Sequence, residues 1–103
     1  MVVVSVMYPN TPGSRFDHRY YVEDHGALLQ RCWAGMGLTE VRLLRGLGAL
    51  GGGPATYQVT ALLTFTSMAA FEAAVAAHGA EVLADIPRFT DVQPLVQVNS
   101  PLG

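Results

Sequence analysis

Between Ser14 and Gly35, in SRFDHRYYVEDHGALLQRCWAG, apolar side chains return at three- and four-residue steps. Phe16, Tyr20, Tyr21, Leu28, Leu29, Cys32 and, just beyond, Met36 share one face of a long amphipathic helix. A helix with one apolar stripe must lie against another layer of structure, so this stretch constrains the fold more than any other. His25 falls on the same face, between Tyr21 and Leu28. An ionisable ring aimed at a core needs a partner or a polar cavity, since burying it unpaired is costly. The stretch therefore marks a pocket as well as a layer. Ser14 with Asp17 three residues later predicts the helix start, as a capping box with a short acid. Gly35 and Gly37 predict its end. Gly26, beside His25, costs about 1 kcal/mol relative to alanine in a helix interior. It reads either as a tolerated imperfection or as room left next to the histidine.

The remaining elements follow from period and punctuation. Val2 to Tyr8 is a β-branched run, with Val2, Val4, Val6 and Tyr8 on one face and Val3, Ser5 and Met7 on the other. Both faces are mostly apolar, which predicts a strand covered on both sides. A loop, PNTPGSRF, leads into the helix. Thr39 to Leu47 suits a second strand, with Val41, Leu43, Arg45 and Leu47 on one side, and Tyr57 to Thr66 a third. Between them, GLGALG formally matches a dinucleotide-binding fingerprint. That fingerprint needs a following helix aimed at the pyrophosphate. Here Gly52, Gly53, Pro54 and strand material follow, so the segment reads as a hairpin connection. Ser67 is the expected cap of a second, alanine-rich helix whose stripe runs Met68, Phe71, Val75, His78. After Gly79 a short helical turn is expected, broken at Pro87, and the last strand spans Val92 to Val98.

The order is strand, helix, strand, strand, helix, strand. It predicts an α+β, ferredoxin-like βαββαβ domain over residues 1–103, with two helices on one face of a four-stranded antiparallel sheet. One copy leaves the other sheet face open. Apolar residues there, with only 14% of the chain charged, predict a homodimer that covers it. The formal net charge is −2 and the six basic residues are scattered, which argues against a nucleic-acid partner. Cys32 is the only cysteine, so no intrachain disulfide forms. No stretch reads as a signal peptide or membrane span, and a cytoplasmic protein is expected.

The residues also carry a resemblance. VMYPNTPGSRFDHRYYVEDHGALLQRCWAGMGL, followed later by AAHGAEVLADIPRFTDVQPLVQV, resembles the EthD family, named for a protein of ethyl tert-butyl ether degradation. The pieces that carry it are the YPN opening with its G-R-F, the tyrosine and histidine of YYVEDH, and DIPRFTD before the last strand. The resemblance implies a dimeric α/β barrel, and membership beside proteins of catabolism and of polyketide-type cyclisation or decarboxylation. Family members often have proline two residues after the helix histidine; here that position is Ala27.

His25 and His78 are expected to converge on one cavity between helices and sheet, with Asp85 or Asp91 orienting a ring. His25, His78 and Asp85 are thus the candidate catalytic residues. Tyr8, Tyr21, Trp33, Phe65, Phe71 and Phe89 are the candidate walls for a small apolar or aromatic ligand. No nucleophile elbow or phosphate loop is present. His78, Glu81 and Asp85 on successive turns lack the denser ligand set of a metal site, so neither metal nor cofactor is expected. Histidine acid–base chemistry on an apolar, oxygenated substrate is the reading these residues favour: cyclisation, decarboxylation or proton transfer. The alternatives are a non-catalytic carrier of a hydrophobic intermediate, and a dimer whose histidines are structural.

Overall fold

The valine-rich N-terminal run forms the central strand of the sheet in the computed structural model, which describes residues 1–103. This strand, β1 (Val2–Pro9), is followed by β2 (Leu38–Arg45), β3 (Tyr57–Phe65) and β4 (Leu95–Asn99). Their order across the sheet is β2-β3-β1-β4, all antiparallel. The register settles which side chains share a face. Val4 lies opposite Leu63 and Val98, and Leu63 opposite Val41. Val6 lies opposite Ala61 and Val96. These residues face the helices, so the expected alternation along β1 holds.

Helix α1 is less regular than its sequence period. It starts with one α-helical turn, His18–Tyr20, widens into a π segment, Tyr21–His25, and resumes as α-helix over Gly26–Trp33. Asp17 caps it, accepting from the backbone N–H of Tyr20 at 3.1 Å. Ser14, the expected cap, instead accepts from Gln58 Nε2 at 3.0 Å. The loop is held by long-range bonds, with Phe16 bridged to Thr90, and the helix begins only after it. A turn over Ala34–Met36 and a left-handed Gly37 end the helix where the glycines predict. Gly37 is required there: its φ is 98°, and a Cβ would come within 2.9 Å of Ala70 Cβ and Thr66 Oγ1.

Helix α2 departs further from expectation. It runs unbroken from Met68 to Asp85, capped by Ser67, straight through Gly79. Its buried positions are Ala74, Gly79 and Val82, whereas Met68 and Val75 of the expected stripe are exposed. Small residues let the helix pack closely, and Trp33 Nε1 of α1 donates to Ala74 O at 2.8 Å. Hydropathy misses such a face, because alanines on every side of the helix leave no contrast between one face and another. Two strand ends shift as well. Leu47 lies beyond β2 and is exposed, and Gly46 packs so close to the Tyr57 carbonyl that no side chain fits. Strand β4 starts at Leu95 because Pro94 has no N–H for the ladder. No helix is long and apolar enough to cross a membrane.

Candidate functional site

The π segment positions the histidine. An i to i+5 bond from Gly26 N–H to Tyr21 O widens the helix by one residue, and Tyr21 and His25 then point to the same side. Their rings stack at a centroid distance of 5.5 Å and an angle of 14°. Such bulges occur often at functional sites. A Cβ added to Gly26 would meet only Tyr21 O at 3.7 Å, an ordinary contact. The glycine therefore does not hold space open beside His25.

His25 is buried, and its partner comes from the far end of α2. Nδ1 of His25 lies 2.9 Å from Oδ2 of Asp85, whose other oxygen accepts from the Tyr20 hydroxyl at 2.7 Å. The Arg88 Nε is 3.8 Å from that same oxygen. Burial alone would raise the Asp85 pKa. Hydrogen bonds from His25 and Tyr20, with the Arg88 guanidinium nearby, outweigh burial and hold it below the usual carboxylate range. The Tyr20 phenol is pushed up, first because Asp85 accepts its hydrogen bond and then by desolvation. An ionised Asp85 takes the proton side of His25 Nδ1, and we assign the ring as the Nδ1–H tautomer on that ground. Nε2 then carries the free lone pair.

That ring lines a cavity of about 270 Å³ between sheet and helices, and 14 of its 17 lining residues are hydrophobic. Tyr8, Tyr21, Trp33 and Phe71, all expected from the sequence, line it together with His25. Burial pushes the Tyr8 and Tyr21 phenols well above their ordinary pKa. Both stay protonated at neutral pH, with the two hydroxyls hydrogen-bonded to each other. Phe65 and Phe89 sit one layer behind. Phe89 packs on His25 at 4.8 Å, and Phe65 touches Trp33 and Phe71 edge-on at 5.8 and 5.3 Å. Exposed Val75, Leu83 and Val96 form the rim.

Two expected residues are elsewhere. His78 does not line the cavity; the rotation of α2 that buries Ala74 and Gly79 carries it to the seam with α1, where Nδ1 is 2.6 Å from Glu81 Oε1. Asp91 accepts from the Arg15 backbone and has no contact with His25. Asp85 reaches the cavity only through His25. Tyr20 is the residue that sequence reasoning missed. It was visible only as one more apolar-face aromatic, and no local pattern pairs it with a carboxylate 65 residues away. Chemically, the arrangement is an imidazole base oriented by a carboxylate in an apolar chamber, with no serine or cysteine in reach. Cys32 lies outside the cavity, and burial followed by the Glu81 carboxylate pushes its thiol pKa up.

Solved structures share this architecture. An EthD-like protein from Ralstonia eutropha JMP134 is 34% identical, with a TM-score of 0.89 over 96% of this chain and 89% of that one. An EthD family protein from Bacillus halodurans C-125 is 15% identical, with a TM-score of 0.77 over 99% of each chain. A DABB family protein with a ferredoxin-like fold from Mesorhizobium loti MAFF303099 is 16% identical, with a TM-score of 0.62 over 99% of this chain and 97% of that one. The last two bear on fold alone. No family model and no curated protein matches the chain.

Proposed function

Because this chain belongs to the EthD family, we propose that it is a cofactor-free acid–base protein acting on a small apolar, carbonyl-bearing molecule. The observation that supports the reading is the His25–Asp85 pair, held at 2.9 Å with the ring in the wall of an otherwise apolar cavity. Nε2 of His25 takes a proton from a carbon next to the carbonyl. The electron pair of the broken C–H bond forms the enolate C=C as the carbonyl π pair moves to oxygen, and the imidazolium is stabilised by Asp85. The protonated Tyr8–Tyr21 pair supplies the donor for the developing enolate oxygen. Return of the proton at another position, ring closure by attack of the enolate carbon on a second carbonyl, or loss of carbon dioxide from a neighbouring carboxylate in place of proton abstraction all pass through that enolate.

A bicyclic ketone tests this directly. In D2O, the protein is expected to accelerate deuterium incorporation next to the carbonyl of 2-tetralone, followed by proton NMR, and His25→Ala is expected to abolish the acceleration. Binding of the ketone with no exchange above buffer would favour the carrier alternative. Neither binding nor exchange would leave His25 structural.

The reading includes a homodimer. Val3, Met7, Leu44, Leu62 and Leu95 lie on the sheet face away from the helices, with Leu44 and Leu95 exposed. Burying that face against its own copy removes it from water. Equilibrium sedimentation at micromolar concentration is expected to return about twice the chain mass of 11.0 kDa. A clean monomer would sink this part.

A further inference from the structure

The seam between α1 and α2 carries a second group of side chains, which the acid–base reading does not use. Cys32 of α1 and His78 and Glu81 of α2 bring a sulfur, a ring nitrogen and a carboxylate oxygen within 4.8 Å of one another. Cys32 is buried, whereas the His78 and Glu81 side chains are 38% and 54% exposed. The thiol is thus the floor of a small site, and the other two donors stand at its mouth. The backbones beneath are tied together. Trp33, next to Cys32, donates its indole N–H to the carbonyl of Ala74, one helical turn before His78. Donors from two separate elements therefore keep a spacing that does not depend on side-chain rotation alone.

We propose that Cys32, His78 and Glu81 bind a divalent transition-metal ion of the zinc type, at a site separate from the His25 cavity. Zinc holds thiolate, imidazole and carboxylate at about 2.0–2.3 Å, which places tetrahedral ligand atoms about 3.3–3.8 Å apart. The observed spread of up to 4.8 Å closes to that range by small rotations, and the 2.6 Å His78–Glu81 contact opens to it. The donor types select the ion. Sulfur with imidazole suits zinc, cobalt and related metals, while magnesium and calcium take oxygen donors. Metal binding releases the Cys32 thiol proton, and the dication then holds together a thiolate and a carboxylate that would otherwise repel. Three protein ligands leave a fourth position for water. The set differs from His78, Glu81 and Asp85, the one that helical spacing singles out. Asp85 is turned to His25, and Cys32 from the other helix takes its place.

Titrating the metal-free protein with Zn²⁺ by calorimetry and with Co²⁺ by absorption tests the site. We expect one ion per chain and a thiolate-to-cobalt charge-transfer band in the near ultraviolet. Cys32→Ser removes that band. His78→Ala, at a half-exposed position where folding is not at stake, weakens binding by about tenfold or more. His18→Ala, which changes the histidine outside both sites, alters neither band nor affinity. No saturable uptake overturns the proposal. So does a charge-transfer band that survives Cys32→Ser, full affinity in His78→Ala, or a loss in His18→Ala.

Discussion

Two histidine–carboxylate pairs draw on the C-terminal half of helix α2, and the shorter one is the less constrained. His78 and Glu81 are 2.6 Å apart, three residues along one helix, with both side chains open to water. His25 and Asp85 are 2.9 Å apart, from different helices, with side chains only 6% and 13% exposed. In water the attraction between such charges is screened, and the entropy of holding two flexible side chains offsets much of it. Inside the apolar layer each partner depends on the other, because neither can turn to solvent. Around His25 the neighbours add constraint: Tyr21 stacks on one side, Phe89 packs on another, and Tyr20 holds the second oxygen of Asp85. Environment, more than separation, distinguishes the pair proposed for proton transfer from the one proposed to take up an ion.

Four measurements break or sharpen this contrast. Phe89→Ala is expected to have the largest effect on the fold, since the ring is fully buried against Tyr8, Tyr21 and His25. Emptying such a site costs about 3–5 kcal/mol, read as a lower urea midpoint. A cost below about 1 kcal/mol would mean that the aromatic layer does not hold the histidine. Next is His25→Ala in the deuterium-exchange assay, where the loss of a positioned base is expected to return the rate to the buffer level, a drop of about a hundredfold. An unchanged rate would remove the functional distinction between the two pairs.

Asp85→Asn is expected to cost about 1–3 kcal/mol at neutral pH, the usual range for disrupting a buried hydrogen-bonded group. Its pH dependence sharpens the point. The folded Asp85 pKa is depressed, so its stabilisation is fully present above the unfolded value, about pH 4, and is lost as pH falls through the folded value. Urea midpoints of the protein and the variant should converge on acidification; a constant gap would contradict the ionised partner. The smallest effect belongs to Glu81→Gln, expected within about 0.5 kcal/mol by the same melts. A cost matching that of Asp85→Asn would erase the contrast altogether.

Much of this molecule follows from the sequence alone. The alternation of Val2, Val4, Val6 and Tyr8, the long period through α1, and the glycines and prolines between elements are local signals. Side-chain period and backbone permission are properties of neighbouring residues, so element order and the ferredoxin-like arrangement are legible without coordinates. His25 on an apolar face is legible for the same reason, as are Tyr8, Tyr21, Trp33 and Phe71 as walls. What the sequence could not decide is which distant groups meet. Asp85 pairs with His25 across 60 residues, Tyr20 joins it across 65, and Cys32 meets His78 only because two helices pack side by side. The rotation of α2 was equally hidden. A helix of alanines offers no apolar contrast, so close packing on Ala74 and Gly79, and not hydrophobicity, set which way His78 points. Pairing across a fold is fixed by the geometry of packed backbones, and only the tertiary structure carries that.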